Sequence, residues 1–205
     1  MSTCAVTAAV GISCKDSIGG LRNIYVVDNY YENIEETDTV TANTFLVTDF
    51  GMPLWRNAAG TVPAAITVYR FALKPNLSSL TITSNADATN GTTFYTQSLS
   101  VTLQKLDPAT AYQLRLLAYG RSQIFVQDNN DNIMLLGYNN GVDVNGGTAI
   151  TGVAKGDLAG FTVEAQGEER APYMQITGTP VPGSAKYPFD QLAGTDTAAL
   201  TITTA

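Results

Sequence analysis

Short apolar runs and clusters of turn-formers alternate from Gln123 to Glu169, and this rhythm constrains the fold more than any other feature of the chain. Gln123-Ile124-Phe125-Val126-Gln127 leads into Asp128-Asn129-Asn130-Asp131-Asn132, and Ile133-Met134-Leu135-Leu136-Gly137-Tyr138 follows. Two short apolar runs around an Asn/Asp cluster read as a β-hairpin, because Asn and Asp accept turn backbones and hydrogen-bond to them locally. Asn139-Asn140-Gly141 supplies a second turn, and Asn145-Gly146-Gly147 reads as a third. Phe161-Thr162-Val163-Glu164-Ala165 then alternates with the period of a half-buried strand. The whole segment is expected to form one small antiparallel sheet unit.

The remainder of the chain reads the same way. Strands are expected at 22–28, 44–49, 65–73, 77–84, 92–103 and 173–177. Residues 77–103 make a long, Thr-rich hairpin with a polar tip at 85–91. Residues 198–204 alternate and read as a last strand or a swapped arm. The acidic run Glu32, Glu35, Glu36 and Asp38 suits a solvated loop or a strand edge. One helix is expected at about 107–119, with Asp107 as N-cap, Pro108 at its first position and Gly120 as its stop. Ala111, Leu114, Leu117 and Ala118 share one stripe of it, and Tyr112, Leu116 and Tyr119 a neighbouring one. The only Trp, Trp55, reads as core or as an interface anchor. The fold class is therefore mainly β: an antiparallel β-sandwich or barrel-like sheet with one flanking α-helix. Residues 1–205 are expected to form a single domain, with an N-terminal arm at 1–20 and a possible C-terminal arm at 178–205.

Charged residues make up 14% of the sequence, against about a quarter in ordinary soluble domains. Thr alone occurs 27 times. A surface so poor in charge suits contact between subunits, since little desolvation opposes it. The net charge of −7 argues against wrapping nucleic acid, which needs clustered Lys and Arg. It is compatible with DNA as passing cargo, because an acidic lining repels phosphate. No apolar run approaches the roughly 20 residues of a membrane span, and no secretory signal is read at the N-terminus.

Catalytic and metal chemistry find little support. There is no His, which removes the usual general base, the usual zinc ligand and the Ser-His triad. Cys4 and Cys14 are read as free thiols ahead of a small disulfide loop. Glu35-Glu36 and Glu168-Glu169 are adjacent, so on strands each pair points to opposite faces. Asp128, Asn130 and Asn132 imitate the start of a calcium loop, but Ile133 replaces its glycine and Asn139 its final glutamate. The glycines at 147, 152, 156 and 160 fit neither the phosphate-loop nor the dinucleotide pattern. Asn76-Leu77-Ser78 and Asn90-Gly91-Thr92 match the short glycosylation sequon. No enzyme activity, metal or cofactor is expected.

The stretch from Ile124 to Gly141, its continuation through Thr151-Gly152, Gly156–Thr162, Gly167-Glu168-Glu169 and Ala171-Pro172, and the early Cys14, Gly19-Gly20 and Ile24-Tyr25-Val26 together resemble virion proteins of tailed bacteriophages infecting Bacteroidetes-type hosts, of the tail-tube kind. The resemblance covers about a third of the chain and does not extend over residues 30–105. It implies a sandwich or barrel subunit that forms rings, commonly hexameric, stacked into a tube through which double-stranded DNA passes. It implies homo-oligomers, contact with other virion proteins, no membrane, and a place in the virion tail after synthesis in the host cytoplasm. The long hairpin would line or bridge the ring, which puts Leu77, Leu80, Ile82, Phe94, Tyr95, Leu99 and Val101 at subunit contacts. A connector, hub or capsid decoration subunit is the near alternative. A carbohydrate-binding or adhesive sandwich, using Tyr30, Tyr31, Trp55 and Tyr95, is the distant one.

Overall fold

A computed structural model describes residues 17–27, 35–39, 44–49, 66–176, 178–192 and 200–204. The expectations attached to Cys4, Cys14, Tyr30, Tyr31 and Trp55 lie outside these residues. The described chain forms a large and a small β-sheet with one helix. The large sheet has eight strands, in the spatial order β12 (Leu200–Thr204), β4 (Ile66–Ala72), β1 (Leu21–Val27), β7 (Ile124–Asp128), β8 (Ile133–Leu136), β11 (Met174–Ile176), β3 (Thr44–Asp49) and β2 (Glu35–Thr39). The small sheet has four, in the order β5 (Ser79–Asp87), β6 (Thr92–Gln104), β10 (Gly160–Glu169) and β9 (Asp143–Ile150). The small sheet is wholly antiparallel. The large sheet adds two parallel pairings, β12 with β4 and β11 with β3.

The segment 123–169 is not one sheet unit. Its first hairpin, β7–β8, belongs to the large sheet and its second, β9–β10, to the small one. The cause lies in β7 and β8, which are buried on both faces. Phe125 and Leu135 face one core, while Ile124, Val126 and Leu136 face another. Asn145-Gly146-Gly147 is likewise no turn but part of β9. Gly146 pairs with Glu164 and Val144 with Ala165, which leaves Asn145 as the extra residue of a bulge.

Alternation along the central strands builds the two cores. Tyr25 and Val27 of β1 join Phe125, Leu135 and Met174 beneath the turn-rich stretch 178–192. Phe189 from that stretch packs edge-on to Phe125 at 5.0 Å and Tyr25 at 5.4 Å between ring centroids. Residues 178–192 are therefore a docked cover with buried Phe189 and Leu192, not an arm. Ile24 and Val26 face the second core, which lies between the sheets and is shared with Leu99, Val101 and Leu103 of β6 and Ala165 of β10.

The helix α1 (Pro108–Tyr119) starts where its signals place it. The Asp107 carboxylate accepts the Thr110 amide at 3.2 Å, and Gly120 closes the last turn by donating to Leu116. Leu114 and Leu117 rest half-buried on the intersheet core. The other stripe is left in solvent, with Tyr119 77% exposed.

Candidate assembly surface

Register assigns every side chain of the small sheet to a face. One face carries Leu99, Val101, Val163 and Ala165 into the core. The other carries Thr81 and Thr83 of β5, Thr96 and Ser98 of β6, Thr162, Glu164, Gln166 and Glu168 of β10, and Asp143 and Thr148 of β9. Side-chain bonds run across it: Asn85 donates to Thr96 at 2.8 Å, Asn145 donates to Gln166 at 3.0 Å, and the Thr148 and Thr162 hydroxyls meet. None of the four strands contains a Lys or Arg. Apart from the exposed Phe94, the face is thus hydroxylated and acidic, with Asp87, Asp143, Glu164 and Glu168 as its charges. Arg121 approaches only from the rim, 3.6 Å from Asp143.

Among the described residues, no further strand pairs with either edge of this sheet. Natural edge strands are usually blunted by charge or proline. β5 carries neither from Ser79 to Ala86, and β9 carries neither from Val144 to Ile150. Three successive antiparallel pairings make the two edges run in opposite directions. They are also staggered. Thr83 at the centre of β5 is level with Thr96, whereas Gly147 near the centre of β9 is level, through Val163, with Val101, five residues further along β6.

A cleft of about 470 Å³ opens between β9 and the helix. Ala111, Leu114 and Ala118 form one wall, and Val144 and Phe161 the other. Gly146 and Gly147 leave its floor without side chains. Gly147 is obligatory there, since a Cβ would lie 2.8 Å from the Thr162 carbonyl oxygen.

The polar groups elsewhere lock the fold. Asn23 and Gln127, opposite each other on β1 and β7, are both buried. Asn23 donates to Gln127 at 2.6 Å, and the Tyr25 hydroxyl donates to the same oxygen at 3.3 Å. Gln127 in turn donates to Tyr187 at 2.7 Å and Asp131 at 3.0 Å. Arg70 donates to Asn23 and Arg22 pairs with Asp131. Burial pushes the Tyr25 phenol up to about 12 against the opposing pull of Arg70. Burial, then Asp131, raises Tyr187. Buried Glu169 accepts the Asn139 and Asn140 amides, while Gln97 accepts the Gly137 amide and donates to the Pro172 carbonyl. These bonds fasten β10 and β6 to the turn that enters from the large sheet.

The Asp128 carboxylate is filled by turn donors: the amides of Asn130 and Asn132, each at 2.8 Å, and both of their side chains. That donor set makes an Asx-type turn. Among the described residues no cluster of three or more His, Cys, Asp or Glu could hold a metal ion.

The hairpin residues named from sequence separate into two groups. Leu77 and Phe94 are exposed, and Leu80, Ile82 and Tyr95 are half-buried. Leu99 and Val101 are each 3% exposed within the intersheet core. They are corrected here to core residues, because their parity on β6 turns them towards the large sheet. Sequence reasoning missed β9 as the opposite edge, the glycine-floored cleft, and the Asn23–Gln127 pair.

Fold and surface together define a two-sheet β-sandwich with one flanking helix and, among the described residues, a small sheet with no strand added at either edge. No family model, curated protein or solved structure matches the chain.

Proposed function

We propose that the chain is a tail-tube-type virion subunit that assembles head-to-tail into rings and encloses a conduit for double-stranded DNA. The observation that carries this reading is the pair of oppositely running and staggered edges of the small sheet, which no described strand covers. A β5 edge from one copy can extend the β9 edge of the next as a further antiparallel strand. Such a heterologous contact closes into a ring when its rotation allows.

The stagger has the size that closure needs. A four-stranded sheet is about 19 Å wide. Side-chain parity permits only even offsets, since a one-residue slip exchanges the two faces. An offset of four residues, about 13 Å along the strand, corresponds to a tilt of about 35°, as in closed barrels. Six copies would give a barrel about 45 Å across between backbones, wide enough for a DNA duplex. Its lining would be the hydroxylated, acidic face, which contains no strand Lys or Arg to hold phosphate.

Electron microscopy and sedimentation of the purified protein over a wide concentration range test this. Rings or tubes with a central channel are expected. A protein that stays monomeric, or stops at a compact trimer without a channel, would overturn the reading in favour of a decoration subunit.

A further inference from the structure

We infer that the cleft between β9 and α1 is a socket for Leu80 and Ile82 of a second copy of this chain. The inference rests on the head-to-tail reading and identifies the contact that would hold the seam. The socket is mainly apolar, walled by Ala111, Leu114, Ala118, Val144 and Phe161 with Arg115 and Thr148 among its polar lining, and it opens along the side of β9 that no described strand pairs. At the opposite edge, Leu80 and Ile82 point to the core side of the small sheet and are partly exposed, Leu80 while also touching the intersheet core. One edge therefore has partly exposed apolar side chains, and the other has a mainly apolar recess that no described residue fills.

The register joins them. With the even offset of four, Ile82 of the incoming strand stands opposite Gly147 and Leu80 opposite Ala149. Polar partners then meet on the other face, Thr81 opposite Thr148. Gly147 has no side chain, so the branched Ile82 can lean over it towards Ala118. Helix and strand of one copy would clasp the edge strand of the next, and the seam would gain apolar burial beyond backbone pairing alone.

The test uses the full chain with Cys4→Ser and Cys14→Ser. Adding Ile82→Cys and Ala118→Cys together should produce, on mild oxidation, a covalent ladder of dimers and higher species. Each single replacement should give no ladder. Separately, Ala118→Trp plugs the socket from an exposed helix position. It should keep the wild-type circular dichroism and melting curve yet raise the concentration for half-assembly about tenfold or more. If the wild type forms rings while Ala118→Trp assembles equally well and no ladder appears, the socket is wrong and the ring reading stands. If the wild type forms no rings and no ladder appears, both fail.

Discussion

Replacing Gln127 by Met keeps the length of a fully buried side chain and removes its four hydrogen bonds. The Asn23 amide and the Tyr25 hydroxyl both lose their shared acceptor. Tyr187 loses a donor, although its own hydroxyl still reaches Asp131 at 3.4 Å. A buried donor left unpaired costs about 1–3 kcal/mol, so two such donors bring the expected loss to about 3 kcal/mol. That is a large share of the roughly 5–15 kcal/mol that holds a domain together. In urea, with a slope of about 2 kcal/mol/M, the midpoint should fall by about 1.5 M while the slope is unchanged. Combining Gln127→Met with Tyr25→Phe removes one of the stranded donors. The double variant should therefore be about 1 kcal/mol more stable than the sum of the single losses predicts. A Gln127→Met midpoint within about 0.3 M of wild type, or strict additivity in the double variant, would refute the network as the lock between β1 and β7.

Gly160→Ala would drive a Cβ into the Leu103 carbonyl oxygen, with Gln104 backbone directly behind it. A loss of about 1–3 kcal/mol is expected, read as a lowered melting temperature, and an unchanged curve would contradict the close approach of β6 and β10. Tyr25 has a folded pKa above its unfolded value, so its contribution is intact below pH 10 and is lost as pH rises through about 12. Melting temperature should fall across that window, and Tyr25→Phe should flatten the fall; an unchanged pH profile in Tyr25→Phe would show that the phenol is not buried. The Ala154 and Val153 amides, donated to Asp157, hold its carboxyl below the ordinary range. Its support of the 151–159 loop should persist above the ordinary Asp range and fade as pH falls through the lowered value. Hydrogen exchange at Val153 and Ala154 would record this, and rates that follow only the intrinsic pH dependence would count against it.

Local signals in the sequence were sufficient for most elements. The Asp107–Pro108 start and the Gly120 stop bound α1 almost to the residue, because capping is a contact between near neighbours. Period-two patterns and turn clusters located the hairpin of β5 and β6 for the same reason. The division of 123–169 between two sheets was not legible. Ile133-Met134-Leu135-Leu136 is apolar throughout, so its period does not say which neighbour covers which face. Nor do the parallel pairings of β12 and β11 leave a trace, since each is decided by a strand far away in sequence. The Asn23–Gln127 pair had a faint signal: each is a polar residue beside the apolar run of its strand, but only register brings them together. For the surface, the Ser-Leu-Ser-Val-Thr-Leu alternation at 98–103 already marked Leu99 and Val101 as one face, while the edge role of β9 was hidden by its resemblance to a turn.

The order in which the strands are synthesised has a consequence for the newborn chain. Once Glu169 has left the ribosome, all four strands of the small sheet exist, whereas the large sheet still awaits β11 and β12. The two edges of the small sheet are thus formed before the large sheet beneath them. β12 follows β11 among the described strands, and it screens Ile66–Ala72 with the Thr-rich strand Leu200–Thr204. A chain cut or terminated before Leu200 would present the more apolar β4 as an outer edge. Such an edge would invite promiscuous strand capture, so the five residues Leu200–Thr204 guard β4 against mispairing.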